Sequence, residues 1–134
     1  MIAVDTNLLV RYLTRDLPQQ SAAAARVIEA GGVWVATTVL LETYWVITSL
    51  YGLAPAQVCQ ALRGFAGLPN ITLENPSTVA QALDWSDNGL DFPDALHLAA
   101  ARDCDEFLTF DRQLCRAAAG QAGAIKVRRP PMLL

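Results

Sequence analysis

The chain has 134 residues, of which 53% are hydrophobic and 17% charged, where an ordinary soluble domain is about a quarter charged. That length suits one compact domain over 1–134, and the apolar content excludes a disordered chain. Lys+Arg 10 against Asp+Glu 13 leaves a net charge of −3 and a pI near 4.9, which excludes a nucleic-acid tether working by bulk basicity and leaves local patches or metal ions as the means of meeting a polyanion.

From the N-terminus, Met1-Ile2-Ala3-Val4 enters a strand-like run at once. The basic n-region and long apolar h-region of an export signal are missing, so a cytoplasmic protein is expected. A strand over 2–4 is followed by helices over 8–14 and 18–30, the second opened by Pro18 and closed by Gly31-Gly32. Residues 33–50 approach the length of roughly 20 residues that a bilayer requires. Glu42 lies at the centre of that run and four Thr dilute it, so it reads as a buried strand over 33–36 and a buried helix over 39–51, not a membrane span. A helix over 55–66 starts at Pro55 and ends before Gly67. Then come a strand over 71–73, helices over 77–87 and 93–103, a strand over 107–109, a helix over 112–119 and a strand over 124–127. Strands alternating with helices predict an α/β fold, with a central parallel sheet of about five strands and helices on both faces.

In such sheets ligands bind beyond the carboxyl ends of the strands, so the acids that follow strands carry the interest. Asp5 closes the first strand and Asp111 follows the fourth, while Asp91 and Asp94 open the helix over 93–103, three apart and able to share its face. Taken singly, Asp5 and Asp111 read as helix caps and Asp94 as a complement to the helix dipole. Glu42, among Val39, Leu40, Leu41, Trp45, Val46 and Ile47, sits on a helix apolar nearly all round, and its structural and functional readings stand level. Together the acids weigh more: carboxylates converging on one edge repel unless protonated or neutralised. A hard divalent cation, Mg²⁺ or Mn²⁺, suits oxygen ligands of this kind.

Other chemistries lack their parts. His97 is the one histidine, which excludes a multi-imidazole zinc site, and its place on an apolar helix suggests packing or support of the acids. No phosphate-binding glycine loop occurs. Cys59, Cys104 and Cys115 are widely spaced and read as small core residues in a reducing compartment, and the three Trp read as packing.

The runs Ile2-Ala3-Val4-Asp5-Thr6-Asn7-Leu8-Leu9, Leu41-Glu42, Asp91-Phe92-Pro93-Asp94-Ala95-Leu96-His97 and Leu108-Thr109-Phe110-Asp111 resemble the four acidic motifs of PIN domains, specifically the VapC-type toxin ribonucleases, in order and spacing. The resemblance places the family's acidic quartet on Asp5, Glu42, Asp94 and Asp111, as catalytic residues and Mg²⁺ or Mn²⁺ ligands. Thr6, Asn7 and Thr109 match supporting positions, with Asp91 as an auxiliary acid. It implies a metal-dependent endoribonuclease leaving 5′-phosphate and 3′-hydroxyl ends. It further implies the toxin half of a toxin–antitoxin pair, a homodimer held inactive by a cognate antitoxin protein. Nine of the ten basic residues are Arg, suited to bidentate phosphate contacts; Arg11, Arg15, Arg112 and Arg116 fall on helices leaving the same edge.

Other readings remain open on sequence alone: a PIN nuclease acting in RNA processing, or a non-catalytic α/β interaction module whose acids only cap helices. A phosphoacceptor receiver domain fits less well. It needs paired acids after the first strand and a Lys ending the fifth, whereas Asp5 stands alone and the one Lys, Lys126, lies within the last strand.

Overall fold

The computed structural model describes residues 1–132. Its contacts divide into two compact units, Met1–Pro76 and Ser77–Leu134.

The first unit contains β1 (Ile2–Ala3), α1 (Thr6–Thr14), α2 (Pro18–Ala30), β2 (Val33–Val35), α3 (Thr37–Ser49), α4 (Pro55–Ala66) and β3 (Ile71–Leu73). The three strands form a parallel sheet in the order β1-β2-β3, with Ile2 opposite Val33 and Val33 opposite Ile71. The central strand carries the branched residues that fit a pleated, covered surface, and Val33 and Val35 are fully buried. Backbone bonds from Ile2 N to Gly32 O (2.7 Å) and from Val4 N to Trp34 O (3.3 Å) hold β1 against β2. The chain therefore leaves the sheet at Asp5.

α1 begins at Thr6, two residues earlier than the apolar pattern suggests, because Asp5 caps it: its carboxylate accepts the Thr6 N–H at 2.7 Å. It ends at Arg15, whose φ of 57° is left-handed. The Arg15 guanidinium lies 4.7 Å from the Tyr12 ring centroid and its Nε donates to Tyr12 O at 2.6 Å, contacts that offset the strain of that backbone.

α3 departs from expectation. Leu40, Thr43, Tyr44 and Ile47 are buried at the spacing of one helix face, but Glu42 is exposed and Trp45 is 57% exposed. The helix is thus covered on one side and not nearly all round. Apolar composition alone could not separate the two cases, since Trp45 and Val46 count as apolar wherever they point.

The second unit contains α5 (Pro76–Asp87, its first residue at the boundary), α6 (Phe92–Ala100), β4 (Glu106–Leu108), α7 (Arg112–Ala119) and β5 (Lys126–Arg128). β4 and β5 pair in parallel as a two-stranded sheet, with Phe107 opposite Val127. Buried Leu83, Trp85, Phe92 and Leu98 dominate its core, and Trp85 satisfies its indole by donating to Ala122 O at 3.0 Å. α6 stops at Ala100, short of the expected residue 103. Ala101 N and Arg102 N turn to the carbonyls three residues back, the tightening with which helices often end.

All five expected strands and seven expected helices are present, every strand pairing is parallel, and the α/β class stands. Other expectations are corrected. Of the cysteines, all free, only Cys59 lies in the core, while Cys104 is exposed and Cys115 half-buried. Trp85 is core, Trp34 half-buried and Trp45 exposed, so the three Trp do not share a packing role. His97 points outward from α6, which removes packing as its role. Among the described residues, no helix is long and apolar enough to cross a membrane.

Candidate functional site

In the first unit two acids meet through one threonine. Asp5 stands at the exit from β1 and turns one carboxylate oxygen, Oδ1, to the Thr6 N–H. Thr6 is 7% exposed, and its Oγ1 donates to Oε1 of Glu42, 36 residues away on α3. The strand end thereby fixes the cap, the cap fixes Thr6, and Thr6 fixes the Glu42 carboxylate. Exposure of Glu42 resolves the question its sequence context raises, because water and one hydroxyl meet its charge without a buried Arg. Asp5, Thr6, Asn7 and Glu42 line one open cleft of about 340 Å³.

The arrangement rests on the entry into α3. Ala36 has no side chain to cap this helix, so Glu74, just past β3, reaches across to accept the Thr37 N–H at 3.0 Å, and Asn75 donates to Thr37 Oγ1 at 3.2 Å. A cap supplied from 37 residues away leaves no local signal.

A second group was also missed. Arg11, one turn beyond Asn7 on α1, donates through Nη1 to the Tyr51 hydroxyl at 2.9 Å and through Nε to Gln20 at 3.0 Å. Tyr51 in turn donates to Asp16 Oδ2 at 2.6 Å. That bond, with a weaker one from Thr14 and the nearby Arg11 charge, holds the Asp16 carboxyl below the usual carboxylate range. Arg11 and Tyr51 line the same cleft as Asp5 and Glu42. No periodicity links Arg11 to Asp16, because the left-handed turn at Arg15 lies between them.

In the second unit, Asp91, Asp94 and Asp111 line another cleft, of about 250 Å³, beside Leu90 and Leu114. Asp91 precedes α6 and accepts no capping bond, whereas Asp94 lies in its first turn. Partial burial, then the charge of Asp91, then that of Asp111 push the Asp94 carboxyl above the usual range, with His97 acting in the opposite sense. Asp111 caps α7 through Oδ1, which accepts from Gln113 N (2.9 Å) and Leu114 N (3.1 Å). Thr109 Oγ1 accepts the Asp111 N–H at 3.1 Å and so steadies this residue from the other side.

The sequence-nominated residues thus group as Asp5, Thr6, Asn7 and Glu42 in one unit, and Asp91, Asp94, Thr109 and Asp111 in the other. Within either unit, among the described residues, no three His, Cys, Asp or Glu side chains close on a point as a ready-made metal cage. The donor set nonetheless suits a hard divalent cation, being wholly oxygen. The crowding that raises Asp94 is the kind that bound positive charge relieves.

A family model described as "PIN domain" matches residues 2–120. Over 73 residues the chain is 37% identical to ribonuclease VapC24 of Mycobacterium tuberculosis, from strain CDC 1551 / Oshkosh and equally from strain ATCC 25618 / H37Rv. The match takes in 47% of this chain and 50% of each relative, so the chain spans about half the length of the curated relatives it matches.

Proposed function

The chain belongs to the PIN-domain family, and on that premise we propose that it is a Mg²⁺- or Mn²⁺-dependent endoribonuclease, the toxin component of a type II toxin–antitoxin pair, hydrolysing RNA phosphodiester bonds. The observation that carries the reading is the Asp5–Thr6–Glu42 chain of hydrogen bonds: two acids far apart in sequence are held by one buried threonine, Asp5 by its backbone N–H and Glu42 by its hydroxyl, at a strand's carboxyl end beside an open cleft. Similarity to a protein named ribonuclease VapC24 supports it. The single family model runs through both units, which supports taking 1–134 as one domain.

In this proposal Asp5 and Glu42 of the first unit and Asp94 and Asp111 of the second would be ligands of one or two such cations, with Asp91 as auxiliary acid and Thr6, Asn7 and Thr109 as supports. Such an ion, when bound, supplies a more acidic water and offsets charge on a phosphoryl oxygen. The protein's own residues do the positioning. The Thr6 hydroxyl donates to Glu42 and so fixes the position of that carboxylate. Two backbone N–H groups donate to the Asp111 carboxylate, and Thr109 steadies the Asp111 backbone by accepting its N–H. Burial and the neighbouring acids disfavour the charge on Asp94, and a bound cation would relieve that. Arg11, at the cleft wall, is placed to meet a phosphate.

The capping reading has its own support, since Asp5 and Asp111 do cap α1 and α7. Both caps use Oδ1 alone, so the second oxygen of each carboxylate takes no part in capping, and the two roles are compatible. An antitoxin partner, a homodimer and a cytoplasmic location belong to the same proposal.

Incubation of the purified protein with a long unstructured RNA, with Mg²⁺ or Mn²⁺ and again with excess chelator, tests it. Cleavage only with the ion, lost in Asp5→Asn and Asp94→Asn variants that keep their circular dichroism, is the expected result. Full activity in chelator, or in Asp5→Asn, refutes it.

A further inference from the structure

The cleft beside Asp5 and Glu42 continues well past the acids. Along α3 its wall follows one helical row, Glu42, Val46 and Leu50, at intervals of four residues. Along α1 it follows two, Thr6 to Val10 and Asn7 to Arg11. Eight residues of helix cover about 12 Å, so one end of the wall is acidic, while the far end is aliphatic with the aromatic ring of Tyr51 and the guanidinium of Arg11. Leu50 is 71% exposed and Tyr51 37%, so this end is open to solvent. Tyr51 is also held in place, its hydroxyl accepting from Arg11 and donating to Asp16. A ring already anchored at its polar tip loses little freedom when something packs on it.

We propose that this far end is a nucleobase subsite: it receives the base of a nucleotide flanking the cut bond against Val46, Leu50 and Tyr51, while Arg11 meets that nucleotide's phosphate. The inference rests on the ribonuclease reading and adds to it the feature that would select sequence. Asp5 and Glu42 carry the opposite charge at the other end of the cleft, but at the point where the aliphatic wall begins the lining charge is that of Arg11, which attracts a phosphate and repels a basic peptide segment there. Unpaired bases in single-stranded RNA offer the flat apolar face that such a wall and an aromatic ring accept.

The test separates this subsite from the ribonuclease reading. Chelator-treated protein is titrated, by amide NMR, with the four nucleoside 5′-monophosphates, with ribose 5-phosphate and with a short Arg-rich peptide. At least one nucleotide is expected to bind more tightly than ribose 5-phosphate, by about five- to hundredfold, the range that base–aromatic contacts supply, with shifts centred on Val46, Leu50 and Tyr51. Tyr51→Ala is expected to lose that preference, as is Leu50→Ser, an exposed position where folding is not at stake. Equal binding of ribose 5-phosphate, binding of the peptide alone, or a preference unchanged in both variants overturns the subsite. In parallel, cut sites are mapped on an RNA with a randomised segment, in the presence of Mn²⁺. A nucleotide bias beside the cut that flattens in Leu50→Ser supports the proposal, and an unaltered bias overturns it. Nucleotide binding as expected without any cleavage overturns the ribonuclease reading and not the subsite.

Discussion

Replacing Thr6 by Val removes one hydroxyl and leaves the side chain's shape. Thr6 is 7% exposed and its hydroxyl donates to the Glu42 carboxylate; the Asp5 cap on α1 uses the Thr6 backbone N–H and survives the change. A hydrogen bond to a charged group is worth about 1.5–3 kcal/mol where the acceptor is left without water. Glu42 is exposed, so water replaces the lost donor and the stability cost falls to about 0.5–1.5 kcal/mol, the net worth of an ordinary bond. For a chain of this length that is a drop of about 4 °C in Tm per kcal/mol. Activity should suffer more than stability. A carboxylate freed from its one fixed donor samples several rotamers, and a loss of about 1.4 kcal/mol in the transition state is tenfold in rate. A quenched-fluorophore RNA cleavage assay at 25 °C, run over a series of Mn²⁺ concentrations, is expected to show at least a tenfold loss for Thr6→Val and a raised Mn²⁺ requirement, while Thr6→Ser, which keeps the donor, stays within a few-fold of the original. Thr6→Val at full rate, or Thr6→Ser as impaired as Thr6→Val, refutes the idea that this hydroxyl positions Glu42.

The acids of the second unit yield two further predictions. Because burial and its acidic neighbours raise the Asp94 carboxyl in the folded chain, that chain binds more protons than the unfolded one between the two titration points, and stability from this group falls as pH rises through that window. In chelator at neutral pH, Asp94→Asn is therefore expected to be more stable than the original by about 0.2–0.5 kcal/mol for each like-charge neighbour relieved. The advantage should fade on acidification below both titration points and on addition of Mg²⁺, which stabilises only the original; calorimetry showing a destabilised Asp94→Asn across the whole pH range contradicts it. Asp111→Ala is expected to cost about 1 kcal/mol by uncapping α7, whereas Asp111→Asn, which can still accept those N–H bonds, should melt normally. Cleavage should be lost in both. An Asn variant that cleaves at full rate reduces Asp111 to a cap.

The twelve elements were legible because each carries its own punctuation: Pro18 and Pro55 at helix starts, Gly31 and Gly67 at ends, and branched residues in β2. The acids that line the two clefts stand in short local motifs of the sequence. What escaped was whatever depends on which way a side chain faces or on a partner far along the chain. Trp45 and Leu40 look alike in a composition count, yet Trp45 is exposed and Leu40 is buried. Glu74 caps a helix that begins 37 residues before it. Arg11 stood in the sequence as one of four Arg suited to phosphate contacts, and its attachment to Tyr51 and Asp16 escaped because it depends on the chain reversing at Arg15, a non-glycine residue in a conformation that sequence patterns do not announce.

Asp5 and Asp111 each offer a single oxygen to the helix that follows, and that division has a genetic consequence. Asp and Asn codons differ by one base, and Asn serves a helix start as well as Asp does. Either site can therefore lose its charge in one mutational step without losing the helix that begins there. Selection against activity in this fold need not become selection against the folded chain, and a silenced copy would keep its fold.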